Sequence, residues 1–190
     1  MDVLDAVAVP HHLAPESRDW QALCSIQKAV QPEGYGCGVA CLAMVAGLDY
    51  EQAWRIFYRN GLDARRKQRP PLSTCHSELS GVITAAGLVN EQRRWTGWRD
   101  FNGLGIFKMK DDWRGDGFKK KWHWVVAFRH PVYEVVIFDP HQPAPAFTKM
   151  PMDVECTAFS LYQPKGLWLQ VEQLQPLHRQ PAQAAQGTSE

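Results

Sequence analysis

The sequence predicts an α+β fold in which an N-terminal layer of helices packs against an antiparallel β-sheet. Apolar residues recur at helical spacing between residues 37 and 86, and glycines stand where helices should end. From residue 88 onward, runs rich in aromatic and β-branched residues replace that spacing. With 190 residues, of which 45% are hydrophobic, the chain can form one domain with a sizeable core. We expect this domain to span residues 18–173, between an irregular arm (1–17) and a disordered tail (174–190).

Three helices are predicted in the first half of the chain. Asp49 can cap the second helix, while Gly47 and Gly87 can end the first and the third. The expected helices are 37–46, 50–58 and a third that begins at 73 or 74 and reaches 86. Residues 18–30 fit a short helix or a strand, with a strand favoured near the end. The later runs predict strands at 88–95, 104–109, 122–128, 133–139, 157–163 and 167–171, with a short helix at 97–102.

The composition excludes a strongly charged or membrane-spanning protein. No run approaches the ~18 consecutive apolar residues that cross a bilayer, and the first residues lack the basic segment of a secretory signal. Five cysteines, an odd number at low density, favour a reducing compartment. We expect a cytoplasmic protein, or a bacterial effector exported without a signal peptide.

The net charge of +1 and the short basic runs 65–69 and 119–121 indicate solvated loops rather than a nucleic-acid surface.

The segment 31–41 places a cysteine at the start of an apolar helix. Unpaired backbone N–H groups and the positive end of the helix dipole favour a thiolate, the nucleophilic form of the thiol, at such a position. Gly36 and Gly38 flank Cys37 and would let a substrate backbone approach the sulfur closely. Gln31, six residues upstream, offers a side-chain amide for an oxyanion. The pattern predicts that Cys37 is a catalytic nucleophile.

A base for this nucleophile is predicted in a β-hairpin much later in the chain. Residues 122–128 and 133–139 are typical of antiparallel strands joined by a short loop, which brings His123 and Asp139 to one end of the hairpin. An imidazole can take the thiol proton and later protonate the leaving amine, while a carboxylate holds the ring in the required tautomer. Pro140 ends the second strand because it cannot donate to a ladder. These residues are therefore predicted to form a Cys-His-Asp triad.

The motifs resemble those of the papain-like cysteine peptidases, and most closely the bacteriocin-processing (double-glycine leader) peptidase family. That family shows a Gln six positions before the Cys, a Cys-Gly followed by small apolar residues, a His-Trp/Tyr-Val-Val strand and an Asp-Pro. The matching positions here are Gln31, Cys37-Gly38, His123-Trp124 and Asp139-Pro140, and the resemblance covers about residues 24–165. It implies a papain-like fold in which the nucleophile helix packs on an antiparallel sheet that carries the His and the Asp.

The resemblance also implies an activity. It makes Cys37 the nucleophile, His123 the base and Asp139 the orienting carboxylate, with Gln31 as the oxyanion donor. Such an enzyme hydrolyses a peptide amide after small, glycine-type residues through a thioester, and no cofactor or metal is expected. The expected partner is a protein or peptide substrate with a Gly-rich cut site, and since this chain contains no Gly-Gly, the substrate should be another protein.

Two departures from the family concern the substrate more than the fold. Peptidase domains of the family are usually fused to a membrane-spanning ABC transporter, and no such segment occurs in this sequence. The stretches 60–71 and 108–121, which lie between the motifs, are particular to this protein.

Three other functions fit parts of the pattern. The same triad could deamidate or transamidate a glutamine of a partner protein, because attack and thioester formation are shared with hydrolysis. A catalytically silent peptide-binding module would keep the fold, although it would not need all four residues. Cys37, Cys41, Cys75 and His76 could ligate zinc, but structural zinc sites favour a cysteine knuckle in a turn over residues of an apolar helix.

Other residues near the motifs have simpler interpretations. Cys41 is expected to pack in the core, and His130, in the hairpin loop, to be solvated. His141 could line the cleft without being the base. Strand alternation turns Trp122 and Trp124 away from the predicted base, which indicates packing. The acidic loop, with Asp111, Asp112 and Asp116, lacks the spacing of an EF-hand and predicts a flexible loop over the cleft.

Overall fold

The structure is a computed structural model, and it describes residues 26–32, 35–67, 69–110, 122–152 and 154–172. Some sequence predictions lie outside the described residues: the arm 1–17, most of the element 18–30, the acidic loop 111–116, the basic run 119–121 and the tail 174–190.

Three helices lie in the described part of the chain. They are α1 (Cys37–Ala46), α2 (Tyr50–Arg59) and α3 (His76–Ala85). Residues 37–45 of α1 are all buried, so this helix runs through the interior of the protein. α2 is amphipathic, begins at the capping side chain of Asp49 and turns Phe57 toward the core. Among the described residues, no helix combines the length and apolar character needed to span a membrane.

The described residues also form a six-stranded sheet. Its strands are β1 (Asn90–Arg94), β2 (Leu104–Lys110), β3 (Trp122–His130), β4 (Glu134–Phe138), β5 (Ala146–Phe147) and β6 (Leu167–Val171). Their order in the sheet is β1-β6-β2-β3-β4-β5, and all neighbouring strands are antiparallel. Helices followed by an antiparallel sheet form the α+β arrangement that the sequence predicts, and that prediction is confirmed.

The sheet separates two apolar clusters. On one face the helices share an apolar cluster with alternate residues of β3, among them Trp124 and Val126. Of the three helices, α1 packs against β3, while α3 packs against β1 and β6. On the other face Val125 and Ala127 join an aromatic cluster. The rings of this aromatic cluster are Trp95, Trp98, Phe101, Phe107, Phe159, Tyr162 and Trp168. Because side chains alternate along a strand, His123 lies on the face that carries the aromatic cluster.

Gly105 in β2 makes room for a ring of that cluster. A Cβ atom at this position would lie 2.4 Å from the indole of Trp168 and 3.0 Å from the carbonyl oxygen of Leu169. The indole stacks on Phe107 with a centroid distance of 4.9 Å and an interplanar angle of 10°. The missing side chain therefore lets β6 lie flat against β2 with its tryptophan in place.

Four segments differ from the predicted secondary structure. Residues 157–163 form a one-turn 3₁₀ helix at Phe159–Leu161 instead of a strand, because Phe159 and Tyr162, three residues apart, both face the aromatic cluster. The predicted helix at 97–102 is a turn, in which Trp98 and Phe101 also share one side. The described end of the first predicted element, 26–30, is irregular, and the two-residue strand β5 was not predicted.

The basic run 65–69 forms local ion pairs. Arg65 pairs with Asp63 at 2.9 Å, while Arg66 and Arg69 contact the Glu78 carboxylate at 2.5 and 3.1 Å. These contacts tie the loop after α2 to the first turn of α3. The arginines therefore stabilise a loop conformation. Arg65 and Arg69 are exposed, as expected of solvated loop charge, whereas Arg66 is largely buried.

Candidate active site

Cys37 is the first residue of α1, and its side chain lies at the positive end of the helix dipole. Gly36 precedes it as the N-cap residue without a capping side-chain hydrogen bond, so no side chain of that position competes for the first N–H groups. At the other end Gly47 adopts φ 64°, and its N–H donates to the carbonyl of Ala43, which stops the helix. Cys37 is 8% exposed, so its sulfur lies in a nearly closed environment.

Gly38 allows close packing behind Cys37. A Cβ atom there would lie 3.0 Å from Oγ1 of Thr74 and 3.4 Å from the ring of Phe57. From the sequence, Gly38 was expected to make room for the backbone of a substrate. The structure instead places Gly38 against α2 and against the segment that precedes α3. The glycine thus fixes the position of Cys37 by letting α1 approach its neighbours.

His123 and Asp139 are joined by a short hydrogen bond inside the protein. Nε2 of His123 lies 2.5 Å from Oδ1 of Asp139, and the two side chains are 2% and 0% exposed. His123 is the second residue of β3, and Asp139 directly follows β4, so the hairpin brings the two to the same end of the sheet. The sixteen-residue separation is therefore bridged by hairpin geometry, as the sequence predicts.

Two further donors hold the carboxylate. The backbone N–H of His141 donates to Oδ1 of Asp139 at 2.8 Å, and the hydroxyl of Tyr162 donates to Oδ2 at 3.2 Å. The ring of His141 lies beside that of His123 with a centroid distance of 4.7 Å. Asp139 is thus a buried carboxylate whose two oxygens both accept hydrogen bonds, which is the arrangement a buried charge requires.

These contacts set the protonation of the pair. Burial lowers the pKa of His123, but hydrogen bonds with Asp139 and Cys37 and the charges of both outweigh burial and raise that pKa to about 9. Burial also raises the pKa of Asp139, and the hydrogen bond and charge of His123 overcome it and hold that pKa below its usual range. Near neutral pH the pair is an imidazolium and a carboxylate. Because Asp139 occupies Nε2, Nδ1 is the ring nitrogen that faces the Cys37 thiol.

Gln31 lies next to the Asp139-Pro140 turn through its main chain. Its backbone N–H donates to the carbonyl oxygen of Pro140 at 3.0 Å, and its side chain is largely buried. This bond holds the segment 26–32 beside the Asp139-Pro140 turn. The structure therefore brings Cys37, His123 and Asp139 into one hydrogen-bonded set and aligns the segment of Gln31 with it.

Three interactions with Asp139, made by Tyr162, His141 and Lys28, were not predicted from the sequence. Tyr162 was hidden in a run that resembled a strand, and the backbone contact of His141 follows from the turn after Pro140. Lys28 carries a buried Nζ atom. Burial lowers the pKa of Lys28, and the charge of Asp139 opposes that change. Nothing local in the sequence distinguishes Lys28, because its place depends on the packing of segment 26–32 against Asp139.

The other cysteines and histidines have structural surroundings. Cys41 is fully buried, and burial raises the pKa of its thiol well above the usual value. His130 is buried rather than solvated, since its Nδ1 atom accepts from the backbone N–H groups of Val132 and Tyr133 in the hairpin turn. His76 contacts the carbonyl oxygen of Leu167 at 2.8 Å. Within the described ranges, no group of three or more metal-ligating side chains occurs.

Trp122 and Trp124 lie on the side of β3 opposite His123. Both indole N–H groups donate to the carbonyl oxygen of Thr74, at 2.8 and 3.3 Å. Trp124 is buried in the core, and Trp122 is half-buried. The two rings fasten the segment before α3 to the sheet, which agrees with their interpretation as packing residues.

Comparisons with known proteins show similarity at the level of structure. No protein-family model matches the chain, and no curated protein matches it. A double glycine motif protease from an AMS/PCAT transporter, solved in complex with the leader peptide, is 17% identical, with 77% of this chain and 91% of that chain covered and a TM-score of 0.47. The peptidase domain of Streptococcus ComA, a bifunctional ABC transporter of a quorum-sensing pathway, is 17% identical, with 76% and 96% covered and a TM-score of 0.50. The chain therefore has the papain-like α+β fold of the ComA peptidase domain, and the resemblance stated from its motifs is confirmed at the level of the fold.

Proposed function

We propose that this protein is a papain-like cysteine peptidase that hydrolyses a peptide amide after small, glycine-type residues. The observation that carries the proposal is the hydrogen-bonded set of Cys37, His123 and Asp139 at the start of an interior helix. The fold shared with the ComA peptidase domain supports it. The partner in this proposal is another protein, because the chain contains no Gly-Gly of its own.

The proposed reaction begins with the thiolate of Cys37. It attacks the scissile carbonyl carbon, and the carbonyl oxygen becomes an oxyanion that the side-chain amide of Gln31 and the N–H groups at the start of α1 stabilise. His123 then gives its Nδ1 proton to the leaving amine as the C–N bond breaks, which leaves a thioester on Cys37. A water molecule next loses a proton to His123 and attacks the thioester, and the acid product departs as the thiolate and imidazolium return.

Asp139 has no covalent role in this proposal. Its carboxylate keeps the imidazole oriented with Nδ1 toward the sulfur, and it favours the imidazolium that forms the ion pair with the thiolate. The raised pKa of His123, about 9, supports that role because it keeps the ring protonated in the resting enzyme near neutral pH.

An electrophilic peptide that ends in Gly-Gly tests the proposal. It should label the wild-type protein once, at Cys37, as read by intact mass and peptide mapping, and peptides with Gly-Gly at the cut site should be cleaved faster than those with Val-Val. The Cys37→Ala variant should lose both labelling and cleavage. Cys75→Ala is the matched control, since Cys75 also stands at the start of a helix and should leave both unchanged.

The same samples separate hydrolysis from the alternative chemistry on glutamine. A cut peptide supports the peptidase, whereas an uncut partner whose mass changes at a glutamine supports deamidation or transamidation. Absence of labelling at Cys37 in folded, reduced protein, with every peptide of the panel intact, would overturn the proposal.

A further inference from the structure

Tyr162 connects the aromatic cluster to the triad carboxylate. It is 1% exposed and directly follows the one-turn 3₁₀ helix at Phe159–Leu161. Its hydroxyl donates to Oδ2 of Asp139 at 3.2 Å. Its own carbonyl oxygen accepts from Nε1 of Trp98 at 2.9 Å. Both ends of the residue are therefore held by hydrogen bonds.

The aromatic cluster keeps this tyrosine in place. The Trp98 ring lies 5.2 Å from that of Phe107 and 5.3 Å from that of Phe159, measured between centroids. Aromatic pairs at such distances prefer specific relative orientations, so these contacts restrain the ring of Trp98. Phe107 belongs to the central strand β2. Through Trp98, Tyr162 is therefore connected to the sheet.

The two oxygens of Asp139 are held from different parts of the chain. Oδ1 accepts from His123 and from the backbone of His141, whereas Oδ2 accepts from Tyr162. A carboxylate held only through Oδ1 can rotate about its terminal side-chain bond, and this rotation tilts the acceptor away from Nε2 of His123. A donor on Oδ2 opposes the rotation.

We propose that Tyr162 is a positioning residue of the proposed peptidase reaction, whose hydroxyl locks the Asp139 carboxylate so that Oδ1 stays aligned with His123. The inference rests on the proposed function and adds a residue to it. Burial, followed by the charge of Asp139, raises the pKa of Tyr162, so the hydroxyl remains a donor across the working pH range. Among the described residues, the other titratable groups that interact with Asp139 include His123, His141, Lys28 and Cys41, which the test leaves unchanged.

The Tyr162→Phe variant removes the hydroxyl and keeps the ring. We expect kcat on a Gly-Gly peptide to fall about tenfold with KM little changed, because loss of one hydrogen bond to a charged group has about that effect. The titration midpoint of Asp139, read by NMR of its labelled carboxyl carbon in a Cys37→Ala background, should rise by about one pH unit, because the carboxylate loses a donor.

Two companion proteins separate positioning from packing. Tyr133→Phe is the matched control, because Tyr133 is also a buried tyrosine, 6% exposed, in the β3–β4 turn, and it should change neither kcat nor the Asp139 midpoint. A site-specific 3-fluorotyrosine at position 162 keeps the ring and makes the hydroxyl more acidic, hence a stronger donor, so it should keep wild-type kcat and lower the Asp139 midpoint below that of the parent. This second protein also decides the matter if Tyr162→Phe does not fold.

Specific results would overturn the inference. An Asp139 midpoint that is the same in Tyr162→Phe and its parent overturns it even where peptide cleavage is established, and so does an unchanged kcat with a shifted midpoint. Loss of kcat in the 3-fluorotyrosine protein also overturns it, and so does an Asp139 midpoint in that protein equal to the parent's. The titration needs no turnover. If the wild-type protein cleaves no peptide but Tyr162→Phe still shifts the Asp139 midpoint, the peptidase proposal is contradicted and the hydroxyl contact is supported.

Discussion

Replacing Asp139 by asparagine removes the negative charge beside His123 and keeps the size of the side chain. In the wild-type protein the carboxylate is the first group that raises the pKa of His123 against the effect of burial. Asparagine can still accept from the backbone of His141, so the turn after β4 should persist. The change therefore isolates the charge of Asp139 from its contribution to the fold.

The magnitude follows from the two pKa values. A decrease of the His123 pKa from about 9 to its ordinary 6.5 corresponds to about 3 kcal/mol in the free energy of imidazole protonation. At pH 7.5 the protonated fraction of His123 would fall from about 97% to about 9%. The ion pair that the proposed reaction needs would then be scarce, so kcat/KM should fall by tenfold or more, on the order of the protonated fraction.

The assay is an NMR titration of the ring nitrogens in reduced, histidine-labelled protein, with kcat/KM measured over the same pH range. Asp63→Asn is the matched control, because Asp63 is paired with Arg65 on a loop and has no contact with the triad. It should leave the His123 midpoint near the wild-type value. A midpoint that stays near 9 in Asp139→Asn would refute the reasoning, because the carboxylate would not be what holds the proton on the ring.

The pH dependence of the free energy of unfolding provides a second test with the Asp139→Asn variant. The pKa of His123 is higher in the folded state than its ordinary value of 6.5. Its contribution to the free energy of unfolding is therefore complete below pH 6.5 and is lost as pH rises through about 9. The free energy of unfolding of the wild-type protein should therefore decrease between these values, and the decrease should be weaker in Asp139→Asn. The lowered pKa of Asp139 acts at the acid end, where its contribution is lost as pH falls below 3.8.

Two further predictions concern Gln31 and Gly105. Gln31→Ala should lower kcat about 100-fold with little change in KM, as loss of an oxyanion donor does. The control Gln92→Ala, on the exposed strand β1, should have no effect. Equal effects of the two variants would contradict the role of Gln31 as oxyanion donor. Gly105→Ala should lower the free energy of unfolding by about 1–3 kcal/mol in urea, since its Cβ would meet the Trp168 ring. Gly81→Ala in α3, where nothing lies within 4 Å of the added Cβ, should instead be neutral or stabilising by up to ~1 kcal/mol.

The helices were predictable because their ends carry local signals. Gly47 stops α1 at the expected residue, and the Asp49 cap begins α2 where the sequence places it. α3 begins later than expected because Cys75 is its N-cap residue, with Glu78 contacting the Cys75 backbone N–H at 2.8 Å. The segment 157–163 was interpreted wrongly because β-rich composition does not reveal whether aromatic residues repeat every second or every third position.

Cys37, His123 and Asp139 could be selected from the sequence for a different reason than the residues around them. Cys37, His123 and Asp139 are residue types that carry chemistry, and each stands beside a signal of its own, a glycine pair or a strand end. Tyr162 and Lys28 belong to common residue types without such signals, and their relation to Asp139 exists only after distant segments have packed together. Tertiary packing of this kind leaves no local trace in one sequence.

The place of β6 in the sheet has a consequence for synthesis. β6 supplies the pairing partner of β1 and covers the free edge of β2, yet residues 167–171 are made after every other described strand. At about 5–20 residues per second, β2 waits several seconds on the ribosome with an open edge. Open edges attract other strands, so newly made chains should be most prone to aggregate in that interval, and chaperones that shield exposed strands should raise the yield of folded protein.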